Sequence, residues 1–194
     1  MKHFDFSRGK WNPAEMPMTY APMCRDRSAV FRQEEDCIAN SMNETTGDYD
    51  YIGIAMAEPT EGDCMVTAHC SFEKYGAPLI VFADGVHTDD TGCRLYDAIY
   101  EVVAYEGGCN VWRILPVPDP ERKRNFTVIN ITRQTFAVEA GSVVEMTVRL
   151  RGKRILVTVN GYSFDVEIPD LPDRYFIGIT TCEGINRFYD LTVE

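Results

Sequence analysis

Short runs in which apolar and polar residues alternate dominate this chain. A period of two places one side of an extended segment in a core and the other toward water. The cleanest run is Cys64 to Phe72, where Cys64, Val66, Ala68, Cys70 and Phe72 make an apolar side and Met65, Thr67, His69 and Ser71 the opposite one. Val144, Met146, Val148 and Leu150 alternate in the same way with Glu145, Thr147, Arg149 and Arg151. The run from Ala77 to Ala83, APLIVFA, is apolar throughout, which predicts a strand buried on both faces. Further strand-like runs cover 29–33, 36–40, 49–57, 126–131, 154–159, 175–182 and 188–193. Asn160-Gly161, between ILVTV and YSFDVEI, has the composition of a two-residue hairpin turn, because both positions take positive φ. No stretch of helical period has convincing length. Roughly a dozen short strands without intervening helices predict an all-β fold, an antiparallel two-sheet sandwich or jelly roll.

Residues 1–27 have no period and are rich in Pro, Met and Arg, so they read as an irregular segment, with Trp11 and Tyr20 packing it down over one edge of the fold. Residues 28–194 then form a single domain, and 194 residues suffice for one substantial core.

The stretch from Tyr96 to Leu115, YDAIYEVVAYEGGCNVWRIL, holds the densest candidate chemistry. With Gly107-Gly108 as its turn, Tyr105 faces Asn110, Val103 faces Trp112 and Glu101 faces Ile114. One side of this hairpin then presents Glu101, Tyr105, Asn110 and Trp112 together. A carboxylate, a phenol, an amide and an indole form a surface suited to a sugar ring: stacking on the aromatics, hydrogen bonds from the polar groups. In the Cys64–Phe72 strand, His69 adds a group that titrates near neutrality, with Thr67 and Ser71 as polar neighbours. No nucleophile-elbow motif surrounds Ser71, so a serine triad is not indicated.

A formal charge of −11 argues against a nucleic-acid partner and against an anionic membrane surface. No apolar run has the length of a membrane span, and MKHFDFSRGKW lacks the apolar region of a signal peptide. The seven cysteines include no CxxC pair, and several fall in phase with apolar residues, which predicts reduced core thiols and a cytoplasmic location.

The last forty residues, ILVTVNGYSFDVEIPDLPDRYFIGITTCEGINRFYDLTVE, resemble the end of a concanavalin A-like lectin/glucanase domain. The elements that carry the resemblance are Val159-Asn160-Gly161, Gly178-Ile179 and Phe188-Tyr189-Asp190, with Trp112 following the strand that contains Glu101. The resemblance implies two stacked, curved antiparallel sheets and carbohydrate on the concave one. It also implies a structural calcium with Asp190 as a ligand; a salt bridge from Asp190 to an arginine is the other reading, and Asp89-Asp90 is a second calcium candidate. No other cofactor is called for. The family 16 glucanase signature E-x-D-x-x-E is missing. Asp97 and Glu101 are separated by roughly 13 Å along a strand. Glycoside hydrolysis uses carboxyls about 5–5.5 Å or 6.5–9.5 Å apart.

The expectation is therefore a lectin-like carbohydrate-binding protein, with Glu101, Asn110, His69, Thr67 and Ser71 as polar contacts and Tyr105 and Trp112 for stacking. Two alternatives stay open. One is an intracellular glycoside hydrolase-like enzyme with Glu101 as acid/base and His69 assisting. The other is an interaction module, a homo-oligomer included, with the aromatic side buried against a partner.

Overall fold

The computed structural model describes residues 1–42, 49–121 and 123–194. Its regular elements are all strands: β1 (Lys2–Asp5), β2 (Arg32–Gln33), β3 (Ile38–Ala39), β4 (Gly53–Ala55), β5 (Thr60–Glu61) and β6 (Cys64–Phe72). They continue with β7 (Pro78–Ala83), β8 (Val86–Thr88), β9 (Arg94–Tyr96), β10 (Ile99–Tyr105), β11 (Gly108–Leu115) and β12 (Thr127–Thr135). The last five are β13 (Val144–Arg151), β14 (Arg154–Val159), β15 (Tyr162–Glu167), β16 (Arg174–Thr181) and β17 (Asn186–Val193).

Two large antiparallel sheets and a separate two-stranded β8–β9 pair result. Sheet A runs β15-β14-β13-β6-β17-β3-β2, with β1 also on β17, and sheet B runs β12-β11-β10-β7-β16-β4, with β5 also on β16. The core lies between them and takes alternate residues from each. Val66, Ala68, Cys70, Met146, Val148 and Val157 come from sheet A, and Ile80, Phe82, Val102, Ala104, Val111 and Ile177 from sheet B. The alternation in 64–72 and 144–151 thus marks the side that meets the core. Asn160 and Gly161 have φ of 47° and 86° and join β14 to β15, as their composition predicts.

Strand β7 is buried on both faces for a specific reason. Its even residues enter the central core, while Leu79, Val81 and Ala83 join Ala21, Met23, Tyr96, Ile99, Val103 and Ile114 in a second apolar cluster on the far side of sheet B. Residues 15–21 form this cover by bonding along β4, through Thr19 N–H to Gly53 O, Ala21 N–H to Tyr51 O and Ala55 N–H to Pro17 O. The N-terminal segment is therefore less irregular than its composition suggests. Its first residues form β1, antiparallel to β17, and Tyr20 is buried. Proline and methionine obscure this part in the sequence, because backbone pairing to an existing sheet requires no side-chain period.

The cysteines are all free, and Cys24, Cys37, Cys64, Cys70 and Cys109 are buried.

Candidate functional site

The β10–β11 hairpin sets the geometry of the outer face of sheet B, the face turned away from sheet A. Its turn is Glu106-Gly107, one residue earlier than the glycine pair suggests, and Gly108 is already the first residue of β11. Strand β12 causes the shift. Gly108 pairs with Thr135 at φ 141°, and a Cβ there would lie 1.9 Å from Gln134 O. Phe136 N–H and Val138 N–H bond to the carbonyls of Gly107 and Glu106. The second glycine is thus required by the close approach of a neighbouring backbone, not by the turn.

The pairings expected from the sequence move accordingly. Glu101 faces Trp112 instead of Ile114, Val103 faces Asn110, and Tyr105 faces Gly108. The displacement is an even number of residues, so each side chain keeps its side of the sheet. Glu101, Tyr105, Asn110 and Trp112 share one face.

Cross-strand register extends that face. One row runs Ala55, Gly178, Val81, Glu101, Trp112, Asn130, and the next runs Gly53, Thr180, Leu79, Val103, Asn110, Arg133. The N-terminal cover and the Tyr96 ring, whose hydroxyl bonds to Ile54 O at 3.1 Å, occupy the β4–β16 end. Toward β12 the face opens: Trp112, Asn110 and Tyr105 are half-buried, and Asn130 and Arg133 are exposed.

Glu101 sits where cover gives way to open surface. It is only 4% exposed, and its Oε1 is buried with no hydrogen-bond partner among the described residues. Burial alone pushes its carboxyl up to about 8, because desolvation penalises the ionised form. Burial also raises Tyr51, Tyr96 and Cys182, and the Glu101 charge adds to each, which places the carboxyl among those three groups. Among the described residues no second carboxylate contributes to the shift at Glu101. Asp97, the nearest acid in sequence, is engaged with His87 Nδ1 at 2.6 Å.

At the open end, Arg133 Nε–H bonds to the Tyr105 hydroxyl at 3.3 Å, and that hydroxyl bonds weakly to Asn110 Oδ1 at 3.4 Å. Tyr49 and Tyr51 stack at 5.7 Å along the opposite margin. The loop between β11 and β12 returns toward this margin. Burial first, and then the Glu183 charge, raise the Tyr49 phenol, and the nearby Arg124 charge offsets part of that rise, while the Arg124 guanidinium lies 5.8 Å over the Phe126 ring. A hollow of about 260 Å³ lies elsewhere, between Asp5, Lys10 and Trp11. The candidate site is a sheet face bordered by loops, not a cavity.

His69, Thr67 and Ser71 belong to sheet A and point away from both the core and Glu101. The whole sandwich separates them from the hairpin, so His69 cannot assist Glu101 and these three do not join its surface. Alternation in 64–72 correctly puts them on the polar side, but one strand's period does not say to which sheet that side belongs. His69 Nδ1 bonds to Asp190 Oδ1 at 2.8 Å and its Nε2 lies 3.4 Å from Glu145. Those carboxylates, the Asp190 hydrogen bond first, raise the imidazole above its ordinary value.

Asp190 therefore faces a histidine, not an arginine, and Arg187 is taken by Glu34 and Glu73. Asp89 is taken by Arg27 and by the Thr91 and Cys93 amides. No group of three or more His, Cys, Asp or Glu among the described residues is placed to hold a metal, so the donor sets around Asp190 and Asp89 do not fit the calcium that the resemblance implies.

Asn130 and Arg133 were not legible as members of the face, because a spacing of three puts two strand residues on opposite sides. A bulge at Ile131 reverses this: Val111 pairs with Thr132 and Trp112 with Asn130.

Comparison of the fold with solved structures gives the class. A glycoside hydrolase family 16 endo-glucanase from Bacteroides ovatus superposes with a TM-score of 0.62 at 8% identity, covering 100% of this chain and 99% of that one. The carbohydrate-binding module CBM66 from Bacillus subtilis gives 0.61 at 10% identity over 91% and 99%. The exoplasmic/lumenal domain of VIP36, bound to Ca2+ and Man3GlcNAc, gives 0.55 at 11% identity over 86% and 81%. The chain has the concanavalin A-like jelly-roll fold. No protein-family model matches its sequence, and no curated protein matches it.

Proposed function

We propose that this protein binds a glycan on the outer face of sheet B, across the ends of β10, β11 and β12. The observation that carries the proposal is the half-buried Trp112 beside Asn110 and Asn130, with an indole N–H that bonds to no protein group among the described residues. The apolar face of a pyranose stacks on such an indole, while the amides take the equatorial hydroxyls. Tyr105 supplies a second ring. Glu101, next to Trp112 with one unused oxygen, lies at the base of the surface. Of the similar folds, one is described as a carbohydrate-binding module and one holds an oligosaccharide.

Binding is favoured over hydrolysis by the state of Glu101. Two-carboxyl hydrolysis requires a partner about 5–9.5 Å away, and the shift at Glu101 comes from burial, with no carboxylate among the described residues contributing to it. A glycan array followed by calorimetry tests the proposal. Wild type is expected to bind, and Trp112→Ala to lose about 100-fold in affinity while its unfolding temperature stays within a few degrees, since the residue is only half-buried. Unchanged binding in Trp112→Ala, or no glycan bound by wild type, would refute it.

A further inference from the structure

We infer that the glycan bound here is acidic, carrying carboxylate or sulfate groups that pair with Arg133 and Arg124. This rests on the glycan-binding face proposed above and names the class of its ligand.

The chain as a whole is acidic, with 30 Asp and Glu against 19 Lys and Arg. Several arginines are matched to that excess: Arg113 with Asp84, Arg154 with Asp165, Arg187 with Glu34 and Glu73, Arg174 with Glu61. Arg133 and Arg124, like Arg8, Arg25, Arg94, Arg149 and Arg151, have no carboxylate partner among the described residues, and these two are the ones placed beside the Trp112 surface. Arg133 spends only its Nε–H, on the Tyr105 hydroxyl, which fixes the plane of the guanidinium. Its two Nη groups, the fork that grips a carboxylate or sulfate with two parallel hydrogen bonds, bond to nothing else in the described structure. Being opposite Asn110, this fork stands on the same side of the sheet as Trp112. Arg124 is held over Phe126, near enough to Tyr49 for its charge to act there. The two cations thus flank the aromatic surface, one from an edge strand and one from a loop.

A half-buried acid, Glu183, borders Tyr49 at the Arg124 end of this surface. Glu101 is buried beneath it, and the residues opposite Arg133 and Trp112 in the register are amides, Asn110 and Asn130. A neutral sugar would use Trp112 and the amides and leave both guanidiniums idle; an acidic one uses the guanidiniums as well.

The test is an array of neutral, uronate-containing and sulfated oligosaccharides, with methyl-esterified uronates as uncharged counterparts. It is probed with wild type, Arg133→Gln, Arg124→Gln and Trp112→Ala. Acidic glycans are expected as the ligands, with at least tenfold preference over their methyl esters, about tenfold loss in each arginine variant, and affinity that falls as sodium chloride rises. Uronate against sulfate on the array identifies which acid is read. Neutral glycans that bind wild type and both arginine variants equally, yet fail on Trp112→Ala, would overturn the acidic specificity and leave the binding face standing. If no glycan binds wild type, the binding face itself is refuted.

Discussion

The outer faces of the two sheets are both polar, and they use their polar groups in opposite ways. On sheet A one row crosses six strands as Ser163, Thr158, Thr147, Thr67, Thr192 and His3. Its members bond to one another, Thr158 with Ser163 at 2.8 Å, Thr67 with Thr147 at 3.1 Å and His3 with Thr192 at 2.9 Å. The adjacent row closes His69 between Asp190 and Glu145, and Ser71 bonds to Tyr189 at 2.9 Å. On sheet B the Glu101 Oε1, the Trp112 N–H and the Arg133 fork have no such partners among the described residues. A polar face that satisfies itself stabilises a sheet; one that leaves donors and acceptors unmet is prepared for a ligand. Polarity alone does not distinguish them, which is why Thr67, His69 and Ser71 resemble site residues in the sequence.

The largest expected contrast comes from one glycine in each sheet. Gly108→Ala forces a Cβ into the Gln134 carbonyl at a positive φ and should destabilise the protein by roughly 3 kcal/mol or more, detaching the β12 edge and its Arg133. Gly161→Ala in sheet A, with nothing within 4 Å of the new methyl, should cost only about 1 kcal/mol. Denaturant unfolding of both variants measures this, and equal losses would break the contrast.

Next comes Glu101. Its folded carboxyl titrates near 8, above its ordinary value, so the folded state holds the proton more tightly than the unfolded chain does. Stability is therefore greatest below about pH 4.5 as far as this group is concerned, falls as pH rises toward 8, and stays low above it, by on the order of 4 kcal/mol in all. Glu101→Gln should remove this dependence and exceed wild type at pH 9 by on the order of 2 kcal/mol, the unmet amide keeping the gain below the full amount. Unfolding curves at pH 5, 7 and 9 that run parallel in both proteins would show that Glu101 is not a strained buried acid.

The smallest effect belongs to His69. Its pKa is raised by Asp190 first, so its contribution is complete below about pH 6.5 and is lost as pH rises through the elevated value. Asp190→Asn should destabilise by less than about 1 kcal/mol at pH 5.5, since the pair is partly solvated, with no difference at pH 9. It should leave glycan binding unchanged, the outcome that separates the two faces most directly.

Much of this was legible in advance. Alternation in 64–72 and 144–151, the uniform APLIVFA run and the Asn160-Gly161 turn are local properties of the chain, and each specified its element and its core-facing side. The common face of Glu101, Tyr105, Asn110 and Trp112 was legible as well, because faces depend only on parity and the hairpin shifted by an even number. Three things were decided by residues distant in sequence. The backbone at Gln134 moved the turn off Gly108, the bulge at Ile131 brought Asn130 and Arg133 onto the Trp112 side, and strand order put His69 on the opposite sheet from Glu101. A two-residue period fixes what lies up and down along one strand. Which strand lies beside it, and whether a polar group finds its partner there, depends on contacts between chain segments up to a hundred residues or more apart, and only the assembled sandwich supplies them.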